Sequence, residues 1–480
     1  MKRTLIFLLA LLLAAAGILT AGAGYLTSRE EAIELTHHLV AGDPAAAAGI
    51  RLTLPVGNQR SQTCWETTVD LGTEELEPET TFIFNPPQGA WRKYEAASSV
   101  DIYTGSASFS MSSSGGGIDF SEYTGEGAED SGRYYEATMM VLPAADIAER
   151  TENGETRTET VRLSDYYEYY PVTMELYLLD QEGRYRMYAN WAECQALTDY
   201  FGLKVPEDLM VEVSVTKDEL GQVYNVETND ADNQRFWFDC QAIVVEDGLC
   251  MSIAVMSEGV DVSENLVACR DGFGLYFIPF SDELKTDYEQ GDPVFDLEHV
   301  RMFCPLAPGS APMLLSREAE GQVLLYARED GALKLSVFDT DTWQCVQWET
   351  IFPLGEEDAY SLLGSGDGFM VMSGPDNMFR VVEEADGVYT PALSGVQDMG
   401  EGYVDEWWYN VECAYDGQRL AVAGITASGD CSLWVQVYDE TGLTYGARID
   451  HSLDREDAWN LYEYNGNVAD QYPIVAFTGS

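Results

Sequence analysis

The sequence predicts a mainly β protein assembled from repeated four-stranded antiparallel sheets behind one apolar N-terminal helix. Three observations carry that expectation. Glycine-containing turns recur every 47 to 49 residues through the second half of the chain. The segments between them alternate apolar and polar residues at the two-residue period of a strand. And a composition that is 46% hydrophobic and 12% aromatic over 480 residues supplies a large packed core. The charge balance bounds the function as well. With 26 Lys and Arg against 82 Asp and Glu, the net charge is -56, which excludes nucleic-acid binding, because neutralising phosphates takes clustered cations.

The chain opens with Lys2 and Arg3, an uncharged run from Leu5 through Leu19, and the small-residue site Ala21-Gly22-Ala23. This is the layout of an export signal over residues 1–26. Left uncut, the same stretch suits a membrane anchor with the acidic bulk outside. The protein is therefore expected to be exported, either extracellular or anchored with its bulk outside the cytoplasm. Cys64 is the first of nine cysteines, too far along for lipidation, and no C-x-x-C pair suggests structural zinc. Several cysteines sit in apolar runs, such as Leu249-Cys250-Met251, and read as small buried hydrophobes.

Residues 27–49 read as two short helices. Ser28-Arg29-Glu30-Glu31 has the pattern of a capping box ahead of Ile33, Leu35, Leu39 and Val40, with Gly42 as the stop. Asp43-Pro44 then caps a run of alanines ending at Gly49. His37 and His38 would point about 100° apart on a helix, so they are expected to be surface or packing residues.

From residue 50 to 480 a single domain of short strands is expected. Val172, Met174, Leu176 and Leu178 interleave with polar neighbours, and one helical stretch interrupts the pattern near Trp191 to Phe201. A Gly/Ser-rich tract at about 104–132 reads as a loop insertion.

The repeat is set by Asp271-Gly272, Glu320-Gly321, Asp367-Gly368, Asp416-Gly417 and Asn465-Gly466, each followed by an apolar strand. A second turn follows at Asp339-Thr340-Asp341-Thr342, Asp386-Gly387 and Asp439-Glu440-Thr441-Gly442. Two tight turns per unit leave room for four strands, the content of a propeller blade. The strand ends Val337-Phe338-Asp339-Thr340-Asp341-Thr342 and Val437-Tyr438-Asp439-Glu440-Thr441-Gly442 resemble the turns of quinoprotein-like and related extracytoplasmic β-propellers. The resemblance covers about residues 240–480 and implies architecture without a function. The expected fold is a β-propeller of about seven blades, within six to eight. Because Asn465-Gly466 falls so near the C-terminus, the strands Arg51 to Val56 and Thr63 to Leu71 are expected to complete the last sheet and spare it an open edge.

No G-x-S-x-G, H-E-x-x-H or phosphate loop occurs, and there are four histidines in all. Asp339-Thr340-Asp341 and Asn229-Asp230-Ala231-Asp232-Asn233 carry calcium-type oxygens without a complete loop, so they read as turns and no metal is expected. No cofactor is expected either. The candidate binding residues are Trp407 and Trp408, beside a long loop between blades, and Tyr166 and Tyr167, whose rings could stack on a sugar or a peptide. The expected function is an extracytoplasmic, non-catalytic binding or scaffold protein that recognises a protein, peptide or glycan at the cell envelope through its long-loop face. Membrane contact is expected only through residues 1–26. The alternative is a secreted glycan-acting hydrolase using central-channel carboxylates, for example Asp454 with Asp457.

Overall fold

The computed structural model describes residues 2–30, 33–58, 63–84, 100–104, 106–109, 111–112, 117–123, 136–179, 185–187, 191–228, 235–245, 247–258, 268–269, 271–281, 295–307, 309–317, 321–355, 358–397, 408–426, 433–452 and 474–478. The protein is mainly β and propeller-type, with most of its strands in antiparallel sheets of four or more. The chain falls into two compact units. One combines Met1–Glu95 with Glu357–Ser480, and the other is Ala96–Glu356.

The first unit starts with helix α1 (Lys2–Glu30), whose described leucines stand in solvent, Leu19 at 73%. Among the described residues no helix is long and apolar enough to cross a membrane. The expected short helix after Ser28 is corrected here. Leu35–Gly42 is a strand, paired antiparallel with Gly442–His451. A short amphipathic segment cannot stabilise a helix without tertiary support, whereas the open edge of a neighbouring sheet offers a full ladder. The second short helix does form, as a single 3-10 turn over Pro44–Ala47, with the Asp43 carboxylate accepting from Ala45 N–H at 2.9 Å.

Two meanders follow the repeat. One runs through Ser361–Gly366, Phe369–Ser373, Met378–Ala385 and Val388–Val396. The other runs through Trp408–Tyr415, Leu420–Thr426, Leu433–Asp439 and Gly442–His451, and Leu35–Gly42 adds a fifth strand. Asp367-Gly368 and Asp416-Gly417 join first to second strands, while Asp386-Gly387 and Asp439–Gly442 join third to fourth, as expected. The sheet shared by the chain ends also forms as expected. Ile474–Phe477 pairs with Ile50–Asn58, which pairs with Thr63–Asp70 and, beyond it, Glu79–Phe84. Asn465-Gly466 itself lies outside the described residues. Arg419 clamps this closure: its guanidinium donates to Ala46 O and Ala48 O, each at 3.0 Å, pairs with Asp416 at 2.9 Å, and lies 4.9 Å from the Phe477 ring centroid.

In the second unit the repeat continues as two further meanders. Met313–Arg317, Gln322–Glu329, Ala332–Asp339 and Cys345–Pro353 form one. Its second and third strands are joined by Asp330 and Gly331, both at positive φ (53° and 73°), the backbone of a type I′ hairpin. Arg235–Val245, Gly248–Glu258, Gly274–Pro279 and Arg301–Pro305 form the other, lengthened into a nine-stranded sheet that includes Val100–Thr104, Met174–Leu179 and Tyr185–Met187. Asp271-Gly272 therefore leads into the third strand of its meander, where a first-to-second hairpin was expected. A two-residue turn over Asp247 had already taken that place.

At the start of the Gly/Ser tract, Ser106–Ser108 and Met111–Ser112 are strands, with Ala107 and Phe109 buried; residues 113–116 and 124–132 of the expected insertion lie outside the described residues. Helix α2 (Val141–Arg150) packs its buried Val141, Ala144, Ile147 and Ala148 on the same core. Helix α3 (Trp191–Phe201) stands where the sequence placed it.

Candidate functional site

A cleft lies at one end of the last two meanders, lined by residues around Asp247, by Phe280, Asp296 and His299, and by the Thr340–Trp343 turn. The interface behind it is dry. Ile243, Leu275, Leu314, Val323, Leu325 and Phe338 pack between the two sheets, and the Gln241 side-chain carbonyl accepts from Leu314 N–H at 2.8 Å. This support backs a concavity of about 460 Å³, within the size range of small-ligand sites.

Trp343 forms its floor. The turn that carries it is wound by Asp339, whose carboxylate accepts from Thr342 N–H at 2.8 Å and from the Thr342 hydroxyl at 2.6 Å. These bonds hold the Asp339 carboxyl below the usual carboxylate range. Trp343 N–H then donates to Asp339 O at 2.7 Å, with Trp343 in the left-handed region at φ 55°. A bulky residue held there costs about 1–3 kcal/mol. The other described non-glycine residues at positive φ are Ala311, Asp330, Asp376, Asn377 and Asp386, all small. The cost is offset by packing. The indole is buried, with ring centroids 4.7 Å from both Phe277 and Phe303.

Arg301 opens the fourth strand of its meander, with its guanidinium carbon 5.4 Å from the Phe277 centroid and 5.9 Å from that of Trp343. Two residues earlier, His299 Nδ1 lies 2.7 Å from Asp296 Oδ2. Asp296 is fixed in turn by donating its backbone N–H to Pro279 O at 2.8 Å. Asp247 and Asp341 complete the polar lining and Phe280 the apolar one. Among the described residues lining the cleft there is no Ser or Cys, and the Thr340 hydroxyl is spent on Gly321 O at 2.9 Å. The arrangement can hold and orient a polar ligand.

The structure does not bring the sequence candidates together here. Tyr166 and Tyr167 pack against α2. The Tyr166 hydroxyl donates to Asp146 Oδ2 at 2.9 Å, and Tyr167 accepts from Leu142 N–H at 3.1 Å. Burial raises both phenols, Tyr167 to about 12. Trp408 opens a strand, opposite Thr426. Trp407, the pair Asp454 and Asp457, and Asn229–Asn233 lie outside the described residues. No group of His, Cys, Asp and Glu suited to a metal occurs among the described residues, and the Asp339 carboxylate serves its own turn. The cleft sits at the turn end of its two sheets. Its signal was a Trp just past the Asp339–Thr342 turn and an Arg in a chain poor in cations.

Strand order and cleft together define a propeller-type protein with a small mixed-charge site. No protein-family model matches the chain, and no curated protein matches it. Among solved structures it is similar to a protein from Lactobacillus plantarum at 11% identity and a TM-score of 0.26, covering 84% of this chain and 98% of that one. Apo AztD from Citrobacter koseri gives 11% identity and a TM-score of 0.24, over 84% and 94% of the two chains. The Cps50 (Swd1) β-propeller domain from Myceliophthora thermophila gives 13% and 0.20, over 50% and 68%. Likenesses this faint carry no weight beside the strand order itself.

Proposed function

We propose that the protein is a non-catalytic binding or scaffold protein, exported with its bulk outside the cytoplasm, that recognises a protein, peptide or glycan at the cell envelope. The observation that carries the binding reading is the cleft over Trp343. A strained aromatic floor, a stacked guanidinium and separate carboxylates are gathered on an apolar inter-sheet support, with no Ser or Cys among the described lining residues. The export reading rests on Lys2, Arg3 and the uncharged run to Leu19.

The full chain, immobilised and screened against peptide and glycan arrays beside Trp343→Ala, tests the binding. Ligands that are retained by the wild type and lost by W343A are expected. Turnover of a chromogenic glycoside with no retained ligand would sink it. A periplasmic or surface reporter fused after Ser480 tests the address, and a reporter active only in the cytoplasm would overturn that part.

A further inference from the structure

We infer that the cleft is built for a zwitterion, a short peptide with free ends whose carboxylate meets Arg301 and whose ammonium meets Asp341. This rests on the binding reading above and narrows it to a chemical class.

Arg301 and Asp341 line the same cleft, from the two different meanders that form it, and both are exposed. Among the described residues neither makes an ion pair, although 82 acids surround the 26 cations of this chain. Arg150 binds Asp146 and Glu159, and Lys334 binds Glu329 and Asp330, whereas Lys217 donates to Thr151 O and Arg301 rests on rings. What sets Arg301 apart is that its guanidinium, stacked on two rings, lines the cleft with its donors unspent. Resting on the faces of Phe277 and Trp343, the planar guanidinium is held in place without spending the donors that match a carboxylate. The neighbouring imidazole of His299 is tethered by Asp296.

The carboxylates supply the complementary half. Asp296 is engaged by His299 and Asp247 has an interaction of its own, which leaves Asp341 to take a ligand cation. An anion alone would meet the negative field of the whole chain, and a cation alone would leave Arg301 without a partner. A ligand carrying both charges satisfies both groups, and its side chains face the apolar wall of Phe280 and Trp343. A volume of about 460 Å³ admits a short peptide and excludes a folded domain.

Calorimetric titration of the full chain with the dipeptide Ala-Phe, its N-acetyl form and its C-terminal amide tests this. Free Ala-Phe is expected to bind, and blocking either end to weaken it at least about tenfold. Arg301→Gln should abolish the distinction between acid and amide, and Asp341→Asn that between free and acetylated amine. Both side chains are exposed, so the fold is expected to survive, and an unchanged melting temperature verifies it. Equal affinity for all three forms, no heat from any of them, or an acid-to-amide ratio unchanged in R301Q overturns the inference. Capture of a doubly blocked peptide or a glycan, lost in W343A, would overturn the zwitterion alone and leave the binding function standing.

Discussion

Replacing Arg419 by Ala removes the clamp that ties the shared-end sheet to the neighbouring meander. The two bonds to Ala46 O and Ala48 O come from a charged donor, which is worth about 1.5–3 kcal/mol each when fully shielded. The Arg419 side chain is 30% exposed, so about 1 kcal/mol each is a fair share. The pair with Asp416 adds at most about 1 kcal/mol, and the contact with Phe477 about 0.5–1 kcal/mol. The total is roughly 3 kcal/mol. For a unit of roughly 220 residues, each kcal/mol moves the melting temperature by about 2–4 °C, so the loss is roughly 6–12 °C. Differential scanning calorimetry of the full chain reads it, and Arg419→Lys, which keeps the charge and one donor direction, should recover about half. If every transition of R419A stays within about 2 °C of the wild type, the clamp contributes nothing and the reasoning fails.

Two buried groups give opposite pH dependences. Burial pushes His451, whose Nε2 lies 3.5 Å from the Thr67 hydroxyl, down to about 4. Its folded-state value is below the unfolded 6.5, so stability is full above that pH and falls by up to about 3 kcal/mol as pH drops towards 4. Urea titrations at pH 7 and 4.5 should show a smaller difference for His451→Gln than for the wild type. Asp239 is raised to about 6 by burial, so its charge destabilises the fold above that pH and the penalty vanishes as pH falls towards 3.8. Asp239→Asn should therefore stabilise by about 2 kcal/mol at pH 8 and by nothing near pH 4; equal effects at both values would refute the assignment. Gly42→Ala places a Cβ 1.9 Å from Thr444 O at φ 75°, and several kcal/mol or detachment of the Leu35–Gly42 strand should result. Gly417→Ala, at φ 87° with nothing within 4 Å, should cost only about 1 kcal/mol by the same urea titration.

The fold was legible where local chemistry dictates local form. Asp-Gly pairs specify tight turns whatever surrounds them, so the second-half meanders and the sharing of one sheet by both chain ends followed from their spacing. Leu35–Gly42 was misread because its capping box and periodic leucines describe a helix as well as they describe an edge strand. Only the sheet offered by Gly442–His451 decides between them. The first half was harder for the same reason. A nine-stranded sheet that draws on residues from Val100 to Pro305 is held by contacts far apart in sequence, and its members carry no periodic mark. The site was nearly invisible. Arg301 and Trp343 converge only through sheet packing, while the conspicuous Tyr166 and Tyr167 serve to seat a helix.

The ladder between Ile50–Asn58 and Ile474–Phe477 has a further consequence. Thr478 and Gly49, whose backbones meet there at 2.6 Å, are 429 residues apart in sequence. A nascent chain emerging N-terminus first must therefore hold the Ile50–Asn58 strand with one edge unpaired until Ile474–Phe477 has been delivered. Completion of this sheet waits on a segment made more than four hundred residues later.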